Sequence, residues 1–385
     1  MEPPAGQRPR GIGRTLRADF PLAVAWGTAA LLLAPTGLVG PGAGPTGLAV
    51  AFAWLFAVVL WSAMRVAHHA EGLAEALGEP YGTLVLTLSV TFMEVTMIAA
   101  VMLHGENNPT LARDTMFAVT MIVLNGIVGL ALLVGALRHH EQQYNLQGAG
   151  AYLSVVTPLA VLTLVLPNFT TSTAGPTLSP LQGAVLAVLA IGLYGVFLAI
   201  QTSRHPSYFV PPAADPPSGA PAAAEGRGEG HGAPPLPRLL QVFLLVAYLA
   251  AVLILAEELA VPLDFALETL GLPGALGGLV IATLILTPEA LGALRAALAD
   301  EIQRAVNIAL GSVLATIALT VPAVLTVSLV THHVVQLGLR SADITLLAVT
   351  LVVSVTTFAS GRTNVLQGSV HLLLFLAYLL LLFEP

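Results

Sequence analysis

Two residue types are missing altogether. The 385-residue sequence has no cysteine, and all fourteen of its basic residues are arginine, so lysine is absent too. Without cysteine there are no disulfides, no thiolate metal sites and no thiol nucleophile. Without lysine there is no Schiff-base chemistry. Charge is scarce: 9% of residues are charged, against about 25% in a soluble globular chain. The arginines are too few and too scattered for a nucleic-acid surface. No Walker-type glycine-rich loop is there to cradle ATP phosphates. What is abundant is apolar: 56% of residues are hydrophobic and the mean hydropathy is +0.86. The sequence reads as an all-α polytopic membrane protein, with the bilayer as its solvent. A net charge of −7 says little about partners, since charge in such a chain sits in loops and at sites.

Residues 1–20 form a polar segment with Arg8, Arg10, Arg14 and Arg17, followed by an apolar run at 21–35. The pattern fits a signal peptide or a first membrane helix. The helix is favoured because no small-x-small cleavage site follows. Ten more apolar runs lie at about 47–65, 83–103, 114–137, 151–167, 180–201, 239–257, 274–298, 304–331, 342–358 and 365–383. Each is near the ~20 residues a bilayer requires. About eleven transmembrane helices are therefore expected.

Arginine placement sets an orientation. With the N-terminus in the cytoplasm, twelve arginines fall at cytoplasmic loops or helix ends, and only Arg113 and Arg340 fall outside. The acids Glu257, Glu258, Asp264 and Glu268 then form an outer loop, and the C-terminus ends outside. Residues 204–238 hold nine prolines and few aliphatic residues, the composition of a cytoplasmic linker without a core. Five runs precede it (47–203) and five follow (239–383). Five is odd, so the second set must insert with opposite topology, which is the inverted-repeat plan of secondary transporters.

Two acids stand out against this background. Glu94 and Glu289 are each the lone acid near the middle of an apolar run, 195 positions apart. An ionised carboxylate there costs about 2.5 kcal/mol or more, so each marks a candidate site. Both lie on the second helix of their repeat. Leu124-Asn-Gly-Ile-Val-Gly-Leu130 and Leu310-Gly-Ser-Val-Leu-Ala-Thr316 add a weaker match on the third helices. An inverted repeat brings the two carboxylates together at the midplane, where they suit a hard cation such as Ca²⁺ with six to eight oxygen ligands. Once the metal leaves, two neighbouring carboxylates in low dielectric cannot both stay ionised. Metal and protons therefore compete for one site. Thr87, Val90, Thr91 and Ile98 share a helical face with Glu94. Pro288 deprives the Leu284 carbonyl of its usual donor. Asn125, Asn307, Ser312 and Thr316 add oxygens from the following helices. Glu79, near a helix start at the cytoplasmic mouth, is a candidate relay. The pairs His68/His69, His139/His140 and His332/His333 invite a zinc reading, but adjacent helical residues do not face one point.

Gly78-Glu-Pro-Tyr-Gly82 leading into Leu88-Ser-Val-Thr-Phe-Met-Glu94 resembles the first alpha repeat of bacterial calcium/proton antiporters, in the cation/calcium exchanger superfamily. Thr287-Pro-Glu-Ala-Leu-Gly-Ala-Leu294, with Arg304, Asn307 and Gly311-Ser-Val-Leu-Ala-Thr316, resembles the second. Tyr194-Gly-Val-Phe-Leu-Ala-Ile-Gln-Thr202 with His205, and Gly361-Arg-Thr-Asn-Val-Leu-Gln-Gly368, extend the resemblance over most of residues 60–385 outside the linker. It implies one extra N-terminal helix plus two inverted five-helix repeats, with Glu94 and Glu289 as cation ligands and proton carriers. It also implies carbonyl ligands at Val90 and Ile285 and a water held by Ser312. Vacuolar-type relatives carry Gly-Asn-Ala before each Glu, whereas this chain has Thr91-Phe-Met93 and Thr287-Pro288.

The expected activity is exchange of Ca²⁺ for H⁺ by alternating access across the cell inner membrane. Ca²⁺ is cargo, and no cofactor is expected. The alternative is Na⁺ or K⁺ exchange for H⁺ on the same fold. A cation channel and a membrane-embedded enzyme fit less well. A homo-oligomer is left open.

Overall fold

The computed structural model describes residues 19–34, 44–78, 81–104, 109–212, 237–331 and 334–384. The described residues form eleven helices: α1 Phe20–Leu33, α2 Gly44–Leu77, α3 Tyr81–His104, α4 Leu111–His139, α5 Leu146–Asn168, α6 Pro180–Arg204, α7 Arg238–Thr269, α8 Ala275–Leu298, α9 Ile302–Thr331, α10 Ser341–Phe358 and α11 Val365–Phe383. Among the described residues, nine of them are long and apolar enough to cross a bilayer. Local signals set several starts. Ser179 with Gln182 at α6, and Asn364 with Gln367 at α11, form reciprocal capping boxes, satisfying orphan amides at each helix start.

One expectation is overturned. Glu257, Glu258, Asp264 and Glu268 do not form a loop, because α7 continues through them to Thr269. Ala, Leu and Glu are strong helix formers, and Pro262 sits inside the helix without ending it. The partner helix α2 likewise runs on to Leu77, so the first helix of each repeat has 34 and 32 residues. These two helices pack along each other, and α1 packs on both. Asp19, just ahead of α1, fixes that docking. Its Oδ1 accepts from Arg65 Nη2 at 2.5 Å and lies 2.9 Å from His69 Nε2, and Tyr248 on α7 donates to it at 3.4 Å.

The remaining packing is reciprocal between the repeats. α3 lies against α9 and α8 against α4; α4 lies against α11 and α9 against α6. The α4–α8 seam is close. A Cβ placed on Gly278 would stand 2.7 Å from the Thr115 amide nitrogen, and one on Gly135 would stand 3.7 Å from the Ala297 carbonyl. These contacts make the two helices parallel and put Glu289 level with Gly126. The third helix of each repeat also widens into a π-turn, at Ile122–Ile127 in α4 and Thr316–Thr320 in α9. The offset between the π-turns matches the Glu94–Glu289 offset. It replaces the Leu124-Asn-Gly/Leu310-Gly match as the register of the repeats, since that motif alignment would displace one π-turn from the other by two helical turns.

Candidate cation site

Glu94 on α3 and Glu289 on α8 line one cavity of about 400 Å³. Glu94 is 2% exposed; Glu289 is half-buried. Thr316 Oγ1 donates to Glu94 Oε2 at 2.7 Å, and Thr320 Oγ1 to Oε1 at 3.4 Å. Both hydroxyls lie on the π-turn of α9 and its edge, spaced one turn apart. The Ser312 hydroxyl donates to Glu289 Oε2. Helix α9 therefore holds both carboxylates from one face. Among the described residues no arginine or histidine is ion-paired to either acid. π-Turns inside α-helices recur at functional positions because the widened turn redirects side chains and frees backbone groups.

The expected neighbours divide. Thr87, Val90, Thr91, Pro288, Asn307, Ser312 and Thr316 all line the cavity. Ile285 and Ile98 are fully buried, outside its lining. Helix α8 continues through Pro288 as one element, so proline leaves the Leu284 carbonyl undonated without breaking the helix. Asn125 is the correction. It is level with Glu289, but its Nδ2 donates to Thr350 Oγ1 at 2.9 Å and its Oδ1 lies 3.3 Å from His371 Nδ1. His371 Nε2 in turn lies 3.1 Å from Thr357 Oγ1. Asn125 belongs to a separate polar cluster among α4, α10 and α11, where a buried amide finds the partners it requires. Glu79, His332 and His333 lie outside the described residues. Among the described residues no group of three His, Asp or Glu side chains is placed to hold a metal. His69 turns to Asp19, and His139 Nε2 lies 3.0 Å from the Leu298 carbonyl.

Two features were not read from sequence. Thr320 follows Thr316 by one helical turn, and that i, i+4 spacing was the available signal. Glu71 on α2 also lines the cavity, near the end of the helix where Arg238 at the start of α7 donates to the Ala76 carbonyl at 2.8 Å. The exposed residues of its lining, Glu71, Pro206 and Val210, lie at that end, beside Gln201, Thr202 and the turn Pro206–Phe209. The turn is strapped down: Asn307 Nδ2 donates to the Phe209 carbonyl at 2.7 Å, and Asn145 Nδ2 to the Ser207 carbonyl at 3.0 Å. At the opposite face the bundle is tied by buried charge. Arg113 pairs with Asp114 at 2.8 Å and donates to the Gly338 carbonyl at 3.2 Å, while Arg340 pairs with Asp343 at 2.8 Å.

The sequence profile of the sodium/calcium exchanger protein family matches residues 47–203 and 240–384, one stretch on each side of the proline-rich linker. The chain belongs to the sodium/calcium exchanger family. The exchanger is 44% identical over 315 residues to the y4hA protein of Sinorhizobium fredii, covering 82% of this chain and 83% of the relative. It is 40% identical over 331 residues to the sodium-potassium/proton antiporter ChaA of Escherichia coli, covering 84% and 86%. It is 25% identical over 311 residues to a Ca²⁺/H⁺ antiporter of Aphanothece halophytica, covering 78% and 81%. The fold of the exchanger matches the solved structure of native YfkE with a TM-score of 0.69 at 16% identity, over 95% of this chain and 98% of that one. The exchanger is accordingly a multi-pass membrane protein and a secondary ion transporter, not an enzyme.

Proposed function

We propose that the protein exchanges a cytoplasmic metal cation for protons at the Glu94–Glu289 pair, and that the cation is Ca²⁺. The supporting observation is two acids in one cavity, with no basic counter-charge among the described residues, held by three hydroxyls. Such a site is neutral with one Ca²⁺ or with two protons, and doubly negative when empty. The empty charged form is costly in low dielectric, so the site crosses the membrane loaded with one ion or the other. The cavity opens on the face that carries most of the arginines, which the positive-inside rule assigns to the cytoplasm of an inner membrane. On this reading the structure faces inward, and the proton gradient drives efflux.

A second reading has a specific basis. The relative at 40% identity is named a sodium-potassium/proton antiporter, and hydroxyls rather than amides flank the pair here. A monovalent ion plus one retained proton also makes the site neutral.

Everted vesicles separate the two. Addition of Ca²⁺ should collapse an imposed proton gradient, and Glu94→Gln or Glu289→Gln should each abolish this, since a divalent ion needs both carboxylates. If Na⁺ or K⁺ collapses the gradient and Ca²⁺ does not, the monovalent reading replaces the first. Normal transport by either variant removes the pair from the mechanism.

A further inference from the structure

Glu71 has no role in the exchange chemistry, yet it shares the cavity that holds the pair. It lies on α2, where residues 67 and 71 face the cavity and residues 65 and 69 face Asp19 on the other side of the helix. Among the described residues no donor is bonded to its carboxylate and no ion pair satisfies it. Arg304 on α9, Glu75 one turn on along α2 and Arg295 on α8 are within electrostatic range of it, and neither arginine pairs with it. Arg304 is exposed and lies 3.4 Å from Glu301. Oxygens suited to a hard cation share the cavity wall. The Thr202 hydroxyl donates to the Leu198 carbonyl and lies 3.4 Å from the Ser203 hydroxyl, which leaves it a lone pair. The Gln201 amide nitrogen donates to the Tyr152 hydroxyl, which leaves its carbonyl oxygen free.

We propose that Glu71, with the Gln201 and Thr202 oxygens, is an outer capture site for the transported metal cation, on the path between the linker face and the Glu94–Glu289 pair. The proposal rests on the cation-exchange reading of that pair. One carboxylate with neutral oxygens binds a hydrated cation weakly, raises its concentration at the mouth and releases it inward. A charged cavity with apolar walls focuses counter-ions in this way. Arg295 and Arg304 oppose capture and keep the outer site from becoming a trap.

The opposing signs make the test. In everted vesicles Glu71→Gln should raise the apparent KM for the cation about fivefold or more, with the maximal rate within about twofold of the parent. It should also flatten the dependence of initial rate on ionic strength. Glu71→Asp should restore most of the affinity, and Arg304→Gln should lower KM. A calorimetric titration of purified Glu94→Gln/Glu289→Gln protein with CaCl₂, then NaCl, should show one weak site that disappears when Glu71→Gln is added. The proposal is overturned if Glu71→Gln leaves KM and salt dependence unchanged. It is also overturned if the Glu71 and Arg304 variants move KM in the same direction, or if Glu71→Asp is as inactive as Glu94→Gln. Normal transport by the pair variants would instead refute the exchange reading itself, an outcome separate from any Glu71 result.

Discussion

Replacing Thr316 by valine tests how the structure holds Glu94. The substitution is close to isosteric and keeps the β-branch, so the π-turn of α9 retains its shape while one hydroxyl is lost. That hydroxyl lies 2.7 Å from Glu94 Oε2, and the other described donor, Thr320, is at a long 3.4 Å. A hydrogen bond to a charged group contributes about 1.5–3 kcal/mol. Glu94 is 2% exposed, so water does not replace the missing donor. Cation binding needs the ionised carboxylate, and each 1.4 kcal/mol is about tenfold in affinity. Thr316→Val should therefore raise the apparent KM about 10- to 100-fold, toward the lower end if Thr320 closes its gap. Thr316→Ser should recover most of the loss. The assay is cation-induced collapse of a proton gradient in everted vesicles, titrated at fixed pH. If Thr316→Val stays within twofold of the parent KM while Glu94→Gln is inactive, the hydroxyl does not support the carboxylate and the geometry argued here is wrong.

Asn125→Ala should leave the cation KM unchanged and lower thermal stability by about 1–3 kcal/mol, because it orphans buried His371 and Thr350 rather than a bound ion; a large KM change with normal stability would return Asn125 to the cation site. Gly278→Val should prevent α4 and α8 from closing, since even a Cβ would meet the Thr115 amide nitrogen at 2.7 Å; monodisperse, fully active protein in size-exclusion and transport assays would contradict the seam. Burial would push the Asp19 carboxyl up, but hydrogen bonds and charge from His69 and Arg65 outweigh it and hold it at about 2, below the usual 3.8. A value lowered by folding means that the latch stabilises fully above about pH 4 and is lost as pH falls toward 2. Asp19→Asn should remove that pH dependence, and thermal unfolding in detergent at pH 5 and pH 3 that is equally steep for parent and variant would show that the latch does not carry it.

Most of the architecture was legible because the bilayer imposes it. Backbone groups in hydrocarbon must be satisfied internally, so eleven apolar runs could become only eleven helices, and their odd grouping around the proline-rich linker forced inversion. Glu94 and Glu289 stood out for the same reason: an uncompensated acid in hydrocarbon is costly enough to be informative on its own. Helix ends were less legible. The acids beyond residue 256 read as a loop because they are charged, yet helical propensity and packing against α2 carried α7 to Thr269.

What the linear chain determined, then, was the number of helices, their inversion and the two carboxylates, each a consequence of the cost of placing polar groups in hydrocarbon. What only the tertiary structure decided was which side chains the carboxylates meet. Asn125 is level with Glu289 but turns to Thr350 and His371, while Thr320, unremarkable in sequence, turns to Glu94. A hydroxyl or amide in a membrane helix must bond to something. The rotation of its helix and the widening of a π-turn, set by packing across the two repeats, select the partner.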